Sequence, residues 1–439
     1  MKKGNKVALF AICLTIVLLL MSSCTPFYER MLDRERQSRT EGSIATPETE
    51  STSETVADTE TETEIVSESE STEEALPEKG NGIEDLSGAS AHAMRSVALA
   101  VAVFSPETEN EHAYYASATA VLYAIDSEGG AFFVTNYHLV YDKYASQGGK
   151  AVSSEIYLYL YGKTLEEYAM EASFVGGSPF YDLAVLYVKN SEVLTEALKN
   201  GTATPVTLAD SDKVFPGDTS LAIGCPSAND IGGFSVTRGI VSVESEYIDM
   251  AAIDSGATVT MRVIRTDTAV NSGNSGGGLF NGRGELIGIV NAKSIITDID
   301  GVGYAIPSNV VRAIADNIVD YCHNTDCVTV MRCILGVTVT VNAQKTVYDE
   351  ESGRLLYYED ICVAAVNKGT LADGLFLEGD VVEQITVGNR ETVNVSRQHH
   401  LIDEMLYARI GDSVRFVVRR GDQRVAFTVK ITEDCLTAY

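Results

Sequence analysis

The chain has no tryptophan among its 439 residues, so aromatic packing must come from 13 phenylalanines and 21 tyrosines. Positive charge is scarce: 33 Lys and Arg stand against 62 Asp and Glu, a net charge of −29. That balance argues against a nucleic-acid partner and against adhesion to anionic lipid through a basic patch, since both need clustered cations. Only six histidines occur, at 92, 112, 138, 323, 399 and 400, so few side chains are available as a general base. No apolar run reaches the roughly 20 residues a transmembrane helix needs; Val7–Met21 comes nearest with 15. Paired C-x-x-C spacing is also missing. Cys322, Cys327 and Cys333 sit beside His323 without the ligand spacing of a structural zinc site, so no metal and no cofactor is expected. In an exported chain these cysteines and Cys225, Cys362 and Cys435 allow 15 full pairings, and a disulfide near 322–333 is the better expectation.

What is present begins with an export signal. Lys2, Lys3 and Lys6 precede the apolar stretch, which ends in Leu20-Met21-Ser22-Ser23-Cys24. That ending resembles a bacterial lipoprotein cleavage box. The resemblance implies cleavage before Cys24 and a lipid on its sulfur. Met21 is unusual there, so an uncleaved anchor is the alternative. Either version puts the remainder on the outer face of a bacterial cytoplasmic membrane, with 1–24 as signal or anchor. Residues 25–90 read as a disordered linker. Thr46–Glu78 carries 12 carboxylates, no Lys or Arg and few apolar residues, too little to offset chain entropy by burial. Its expected role is a solvated spacer spanning roughly 40–50 Å.

From Ser96 onward the pattern changes to short apolar or alternating runs punctuated by Gly, Ser, Asp and Asn. Ser96–Phe104, Ala116–Ile125, Ala131–Thr135, Glu155–Tyr161 and Leu183–Val188 form one set. Thr219–Gly224, Phe234–Val243, Thr258–Ile264, Leu279–Phe280, Glu285–Asn291 and Gly303–Ile306 form a second. This rhythm predicts a mainly β fold of sandwich or barrel type. Val310, Val311, Ile314 and Ile318 then mark one helical face, with Ser308 or Asn309 as the expected cap.

Three polar residues stand at the ends of these strands. Ser275 lies in Val270-Asn271-Ser272-Gly273-Asn274-Ser275-Gly276-Gly277-Gly278-Leu279. There the amides of Gly273, Asn274 and Ser275 can turn toward one point and hold a developing oxyanion. A serine alcohol needs a base to become a nucleophile. His138, at the end of Ala131–Val140, is the candidate base. Asp182, after the expected turn at Gly176-Gly177-Ser178-Pro179, is the candidate carboxylate to orient it.

Thr135-Asn136-Tyr137-His138-Leu139-Val140, Asp182-Leu183-Ala184-Val185-Leu186 and Gly273-Asn274-Ser275-Gly276-Gly277 resemble, in order, the catalytic motifs of HtrA (DegP-like) serine proteases. Leu221–Gly224, Thr237–Ser242 and Gly301–Asn309 extend the likeness. The resemblance implies a chymotrypsin-like double β-barrel protease domain over 91–325 and a PDZ domain over 328–435. In the second, Ile334-Leu335-Gly336-Val337 would receive a peptide carboxylate, and Ser396–Ala408 would be the groove helix. The activity implied is a membrane-anchored serine endopeptidase acting on unfolded, damaged or C-terminally exposed exported proteins, assembled as a homotrimer. The alternative is a PDZ-containing binding or chaperone-like lipoprotein with vestigial proteolysis.

The chain departs from the family pattern in two places that matter. The usual Gly-Ser-Gly is replaced around Ala116-Ser117-Ala118-Thr119-Ala120, and around the candidate nucleophile Ser272 and Gly278 stand where prolines are expected. Ser272 beside Gly273 raises the expectation of an oxyanion loop that switches between set and collapsed forms.

Overall fold

The computed structural model describes residues 86–104, 113–143, 151–163, 165–227, 233–291 and 301–438. The expected signal, Cys24 and the acidic linker up to residue 85 lie outside them.

Helix α1 (Ser87–Met94) leads into a first set of strands: β1 (Val97–Phe104), β2 (Tyr114–Ile125) and β3 (Ala131–Thr135). A single helical turn, α2 (Tyr137–Val140), follows, and then β4 (Glu155–Leu160), β5 (Met170–Ser178) and β6 (Leu183–Val188). These strands close antiparallel into a barrel in the order β1-β2-β3-β6-β5-β4. Alternation fills it. Ala98, Ala100 and Ala102 of β1 are fully buried and leave room for Leu122, Phe133, Leu158 and Leu186.

The sequence reading placed a turn at Gly176–Pro179, whereas Gly176–Ser178 continues β5 and pairs with Leu183–Val185 of β6. Glycine is there for space. A Cβ on Gly177 would fall 2.5 Å from the Tyr137 ring and 2.9 Å from the Leu183 carbonyl. The turn itself is shifted to residues 179–182.

Helix α3 (Glu192–Asn200) is capped by Ser191, whose hydroxyl accepts from the Leu194 amide at 3.2 Å. It leads to the second barrel, built from β7 (Thr219–Ser227), β8 (Gly233–Ala251), β9 (Thr258–Thr266), β10 (Gly278–Phe280), β11 (Leu286–Val290) and β12 (Gly303–Pro307). This one closes as β10-β11-β12-β9-β8-β7 around Ala222, Val241, Ile264, Leu279, Ile287 and Ala305.

Helix α4 (Ser308–Cys322) buries the expected stripe of Val310, Val311, Ile314 and Ile318. Neither expected cap serves as one. The Ser308 hydroxyl donates to the Ala209 carbonyl at 2.7 Å, and the Asn309 amide group donates to Asp210 at 2.8 Å. Both side chains fasten the helix start to the chain before β7.

The C-terminal part pairs β13 (Met331–Cys333) with the final strand, Leu436–Ala438. Its main sheet starts with a long hairpin, β14 (Val337–Asp349) and β15 (Arg354–Val366), and continues with β16 (Val381–Val387). After the short β17 (Val393–Asn394) comes helix α5 (Gln398–Met405), two residues shorter at its start and three at its end than the predicted groove helix. Then follow β18 (Ser413–Arg420), β19 (Gln423–Lys430) and β20 (Leu436–Ala438), the main order being β14-β15-β16-β18-β19.

One apolar cluster runs through all three parts. It holds Val134 and Leu183 of the first barrel, Ile223 and Ile289 of the second, Ile318 of α4 and Val363 of the C-terminal sheet. Each such side chain contributes about 1.5–3 kcal/mol on full burial. The strand ends that carry the polar residues are therefore held by a shared core.

Candidate active site

Strand β3 ends in Thr135 and delivers Asn136 and the helical turn α2, which carries His138. Asp182 precedes β6. His138 Nδ1 lies 2.7 Å from Asp182 Oδ2, and the His138 backbone amide donates to Oδ1 at 2.9 Å. Asn291, just beyond β11, donates from Nδ2 to the same Oδ2 at 3.1 Å. A carboxylate 2% exposed would be costly without donors, and this one has three, one of them from the opposite barrel. With Nδ1 held by the carboxylate, Nε2 is the ring nitrogen left to exchange a proton with a substrate or nucleophile.

Asp182 has φ 52°, one of two non-glycine residues with positive φ among those described. That conformation costs on the order of 1–3 kcal/mol and persists where surroundings over-determine it. Here the buried Asn136 does so, donating from Nδ2 to the Asp182 carbonyl at 2.8 Å.

The serine loop is seated against the first barrel by Thr119, a fully buried residue of β2. The Thr119 amide donates to the Ser275 carbonyl at 2.9 Å, and its hydroxyl donates to the Gly273 carbonyl at 2.7 Å. The same hydroxyl accepts from the Cys225 amide at 2.8 Å. On its other side the loop joins β11: the Gly276 amide donates to Val290, and the Val290 amide donates to Gly277, at 3.0 and 2.8 Å. Such an approach requires glycine at two points. Gly273 has φ +94°, and its absent Cβ would fall 2.5 Å from the Cys225 carbonyl. Gly276 has φ +77°, and its Cβ would fall 2.2 Å from the Thr119 carbonyl and 3.1 Å from the Asn136 amide. The turn after Ser275 thus abuts the strand end that leads to His138. Among the described residues no hydrogen bond joins Ser275 to His138 themselves. Catalytic hydrogen bonds commonly tighten only with substrate in place.

The three amides expected to face an oxyanion divide. That of Asn274 donates to the Asn271 carbonyl at 3.0 Å and is used within the loop. Those of Gly273 and Ser275 have no acceptor among the described residues. Two amides can therefore serve a developing negative charge, and the third is a structural tie. Ser275 is 6% exposed and Ser272 is exposed.

The remaining titratable candidates lie elsewhere. Cys225 borders the serine loop, but burial pushes its thiol up to about 12, so it stays protonated and is no rival nucleophile. His323 packs edge-on against the rings of Phe132 and Tyr187. Asp212, His399 and His400 bring ligand atoms within 4.8 Å of one another. The Arg262 guanidinium, 2.9 Å from Asp212, already gives that carboxylate a cationic partner. Asp403 of α5 is buried against this guanidinium, and His399, also buried, lies with its Nε2 3.5 Å from Asp212.

Of the three residues sequence reasoning singled out, the structure joins the imidazole and the carboxylate directly; that reasoning missed Thr119, Asn291 and the tie of Asn136. The only signal for Thr119 was its position inside the stretch that departs from Gly-Ser-Gly.

Comparison with known proteins places these observations among relatives. A model of the trypsin-like peptidase domain matches residues 118–289. The chain is 31% identical over 327 residues to "Serine protease Do-like HtrA" of Lactobacillus helveticus, covering 72% of this chain and 68% of that protein. It is 27% identical over 313 residues to the protein of the same name from Bacillus subtilis (strain 168), covering 70% of this chain and 61% of the relative's length. Among solved structures, "HtrA-type protease AlgW with tripeptide" is similar over 81% of this chain and 98% of that one, at 26% identity and a TM-score of 0.49.

Proposed function

This chain belongs to the HtrA family of serine proteases, and on that premise we propose that it is a membrane-anchored, extracytoplasmic serine endopeptidase. Ser275 Oγ attacks a peptide carbonyl while His138 Nε2 takes its proton. The carbonyl oxygen gains negative charge and is met by the amides of Gly273 and Ser275. Collapse of the tetrahedral adduct expels the amine, which receives the proton from His138. Water then repeats the cycle on the acyl-enzyme. Asp182 fixes the ring tautomer throughout and stabilises the imidazolium. The observation that carries this reading is the His138–Asp182 contact of 2.7 Å, with Asn291 bridging from the barrel that bears Ser275.

The domains follow the same reading: 91–325 as the protease and 328–435 as a PDZ module. Gly336 in the left-handed region (φ +87°), followed by the edge strand β14 with α5 nearby, supports Ile334–Val337 as a loop for peptide carboxylates. Substrates are unfolded or C-terminally exposed exported proteins, the assembly is a homotrimer, and a lipid on Cys24 with the 25–90 linker tethers the folded part to the membrane.

The test is labelling by a fluorophosphonate probe alongside digestion of casein. Both should occur with the intact chain and vanish in Ser275→Ala. Absence of labelling with the intact chain under every condition would leave the binding or chaperone-like lipoprotein as the account.

A further inference from the structure

Between α4 and β13 the chain makes a tight return. The Thr325 amide donates to the Cys322 carbonyl at 3.2 Å, the Thr325 hydroxyl donates to the Tyr321 carbonyl at 2.6 Å, and the Cys327 amide donates back to that hydroxyl at 3.1 Å. Asn324, inside the return, has φ 62°, the second of the two non-glycine residues in the left-handed region among those described. Asparagine tolerates that conformation better than most, though at some cost. The consequence is that Cys322 and Cys327 meet, sulfur to sulfur, at 2.7 Å. Both thiols also reach the Thr329 carbonyl, at 3.3 and 3.2 Å. Cys322 is buried, with its sulfur 3.3 Å from where a Cβ on Gly176 would be, while Cys327 is half-buried.

We propose that Cys322 and Cys327 are a disulfide-forming pair, a modification site that pins the connection between the second barrel and the C-terminal domain onto the first barrel. The next residues show what would be pinned. The Gly177 amide donates to the Val328 carbonyl at 3.0 Å, and Gly177 and Thr329 form a parallel bridge. Gly177 belongs to β5, whose following turn carries Asp182. The closed pair therefore holds the connection beside the strand that presents the carboxylate.

The chemistry needs an external disulfide as oxidant. Cys327, the more accessible sulfur, attacks it as a thiolate and releases one thiol. Cys322 then attacks the Cys327 sulfur of the mixed disulfide and releases the second. Two protons and two electrons leave the protein, and the oxidant departs as two thiols. Burial and the adjacent Cys327 raise the Cys322 thiol above its ordinary value, which assigns the opening attack to Cys327 and makes the closing step the slower one.

The test uses the intact chain equilibrated with oxidised glutathione, blocked with N-ethylmaleimide and cut by trypsin without reductant. Residues 313–332 contain both cysteines and no internal Lys or Arg. The expected result is this peptide lighter by two hydrogens and free of maleimide, with two maleimides appearing only after prior reduction. Cys322→Ser and Cys327→Ser should each leave the remaining cysteine open to maleimide or glutathione. Two overturning results are defined: both cysteines alkylated after oxidation, or the peptide joined to those bearing Cys333 or Cys435. A stoichiometric zinc ion retained by Cys322, His323, Cys327 and Cys333 would overturn it as well. The readout does not depend on peptidase activity, so it stands apart from the test of Ser275.

Discussion

Thr119 illustrates how much a single side chain can be asked to do. Its hydroxyl gives one hydrogen bond across the two barrels, to Gly273, and receives one, from Cys225, in a fully buried place. Valine has nearly the same shape and can do neither. Thr119→Val should lower stability by about 1–3 kcal/mol for each group left unpaired. It should also lower kcat by roughly tenfold or more, with KM little changed, because the Gly273 peptide, whose amide is proposed to meet the oxyanion, would no longer be held. Thr119→Ser keeps the hydroxyl and should restore most of kcat. Steady-state kinetics on a fluorogenic peptide, read beside a denaturation curve, checks both; an unaltered kcat in the valine variant would show that the loop sets itself. At this scale the sequence was partly legible. His138, Asp182 and Ser275 can be picked out because their chemistry restricts them to few residue types. Thr119 acts on a residue 154 positions away, and nothing local in Ala118-Thr119-Ala120 announces a partner so distant.

Among the elements, helix α5 is unusual in burying ionisable groups against the second barrel. His399 is held neutral, its pKa driven down to about 3 by burial, with Arg262 and His400 acting in the same direction and Asp212 opposing. Between about pH 3 and 6.5 the unfolded chain binds a proton here that the folded chain does not. The contribution of His399 to stability is therefore complete above 6.5 and is lost as pH falls toward 3. Asp403, one helical turn on, has the opposite sign. Burial pushes its carboxyl up to about 7 against the pull of Arg262, so its contribution is complete below about 3.8 and is lost as pH rises through 7. The two oppose each other over pH 4–6.5. His399→Phe removes only the first, so its stability should gain on that of the parent chain steadily as pH falls from 6.5 to 4. Urea midpoints at several pH values measure this, and a gap between the two proteins that stays constant with pH would refute it. The elements themselves were legible where burial imposed a period. The α4 stripe and most barrel strands fell where apolar spacing put them. Strand β5 was misread at its end because Gly176-Gly177-Ser178-Pro179 has the composition of a turn. The reason for those glycines, the ring of Tyr137 lying over the strand, is a tertiary contact.

Across the whole molecule, the C-terminal sheet and α5 are fastened to the second barrel and α4 by charged and polar contacts as well as by shared apolar packing. Arg397 meets Glu244 at 3.1 Å, Arg354 meets Asp218 at 3.1 Å while stacking on Phe215, and the Tyr407 hydroxyl donates to the Asn309 carbonyl at 2.8 Å. At the centre Arg262 of β9 is shared between Asp212 of its own barrel and Asp403 of α5. Its side chain is 4% exposed, and a guanidinium so buried is tolerated only while its partners remain. The direction of an experiment follows from that asymmetry. Above pH 7, where Asp403 is ionised, Asp403→Ala leaves the charge in place with half its compensation and should cost about 3–5 kcal/mol. The double variant Arg262→Met, Asp403→Leu removes the buried charge with its buried partner and fills the space with apolar atoms, leaving the more exposed Asp212 to solvent and His399. It should lose less than the single variant, and its deficit should fall well short of the sum of the two single changes. Chemical denaturation followed by two probes, tyrosine fluorescence and circular dichroism, measures these losses. In the alanine variant the two transitions should separate, because the C-terminal sheet would lose its central tie while the barrels keep theirs. A single coincident transition at the parent midpoint would mean that apolar packing alone joins the domains, and that the buried charges contribute nothing to holding α5 in place.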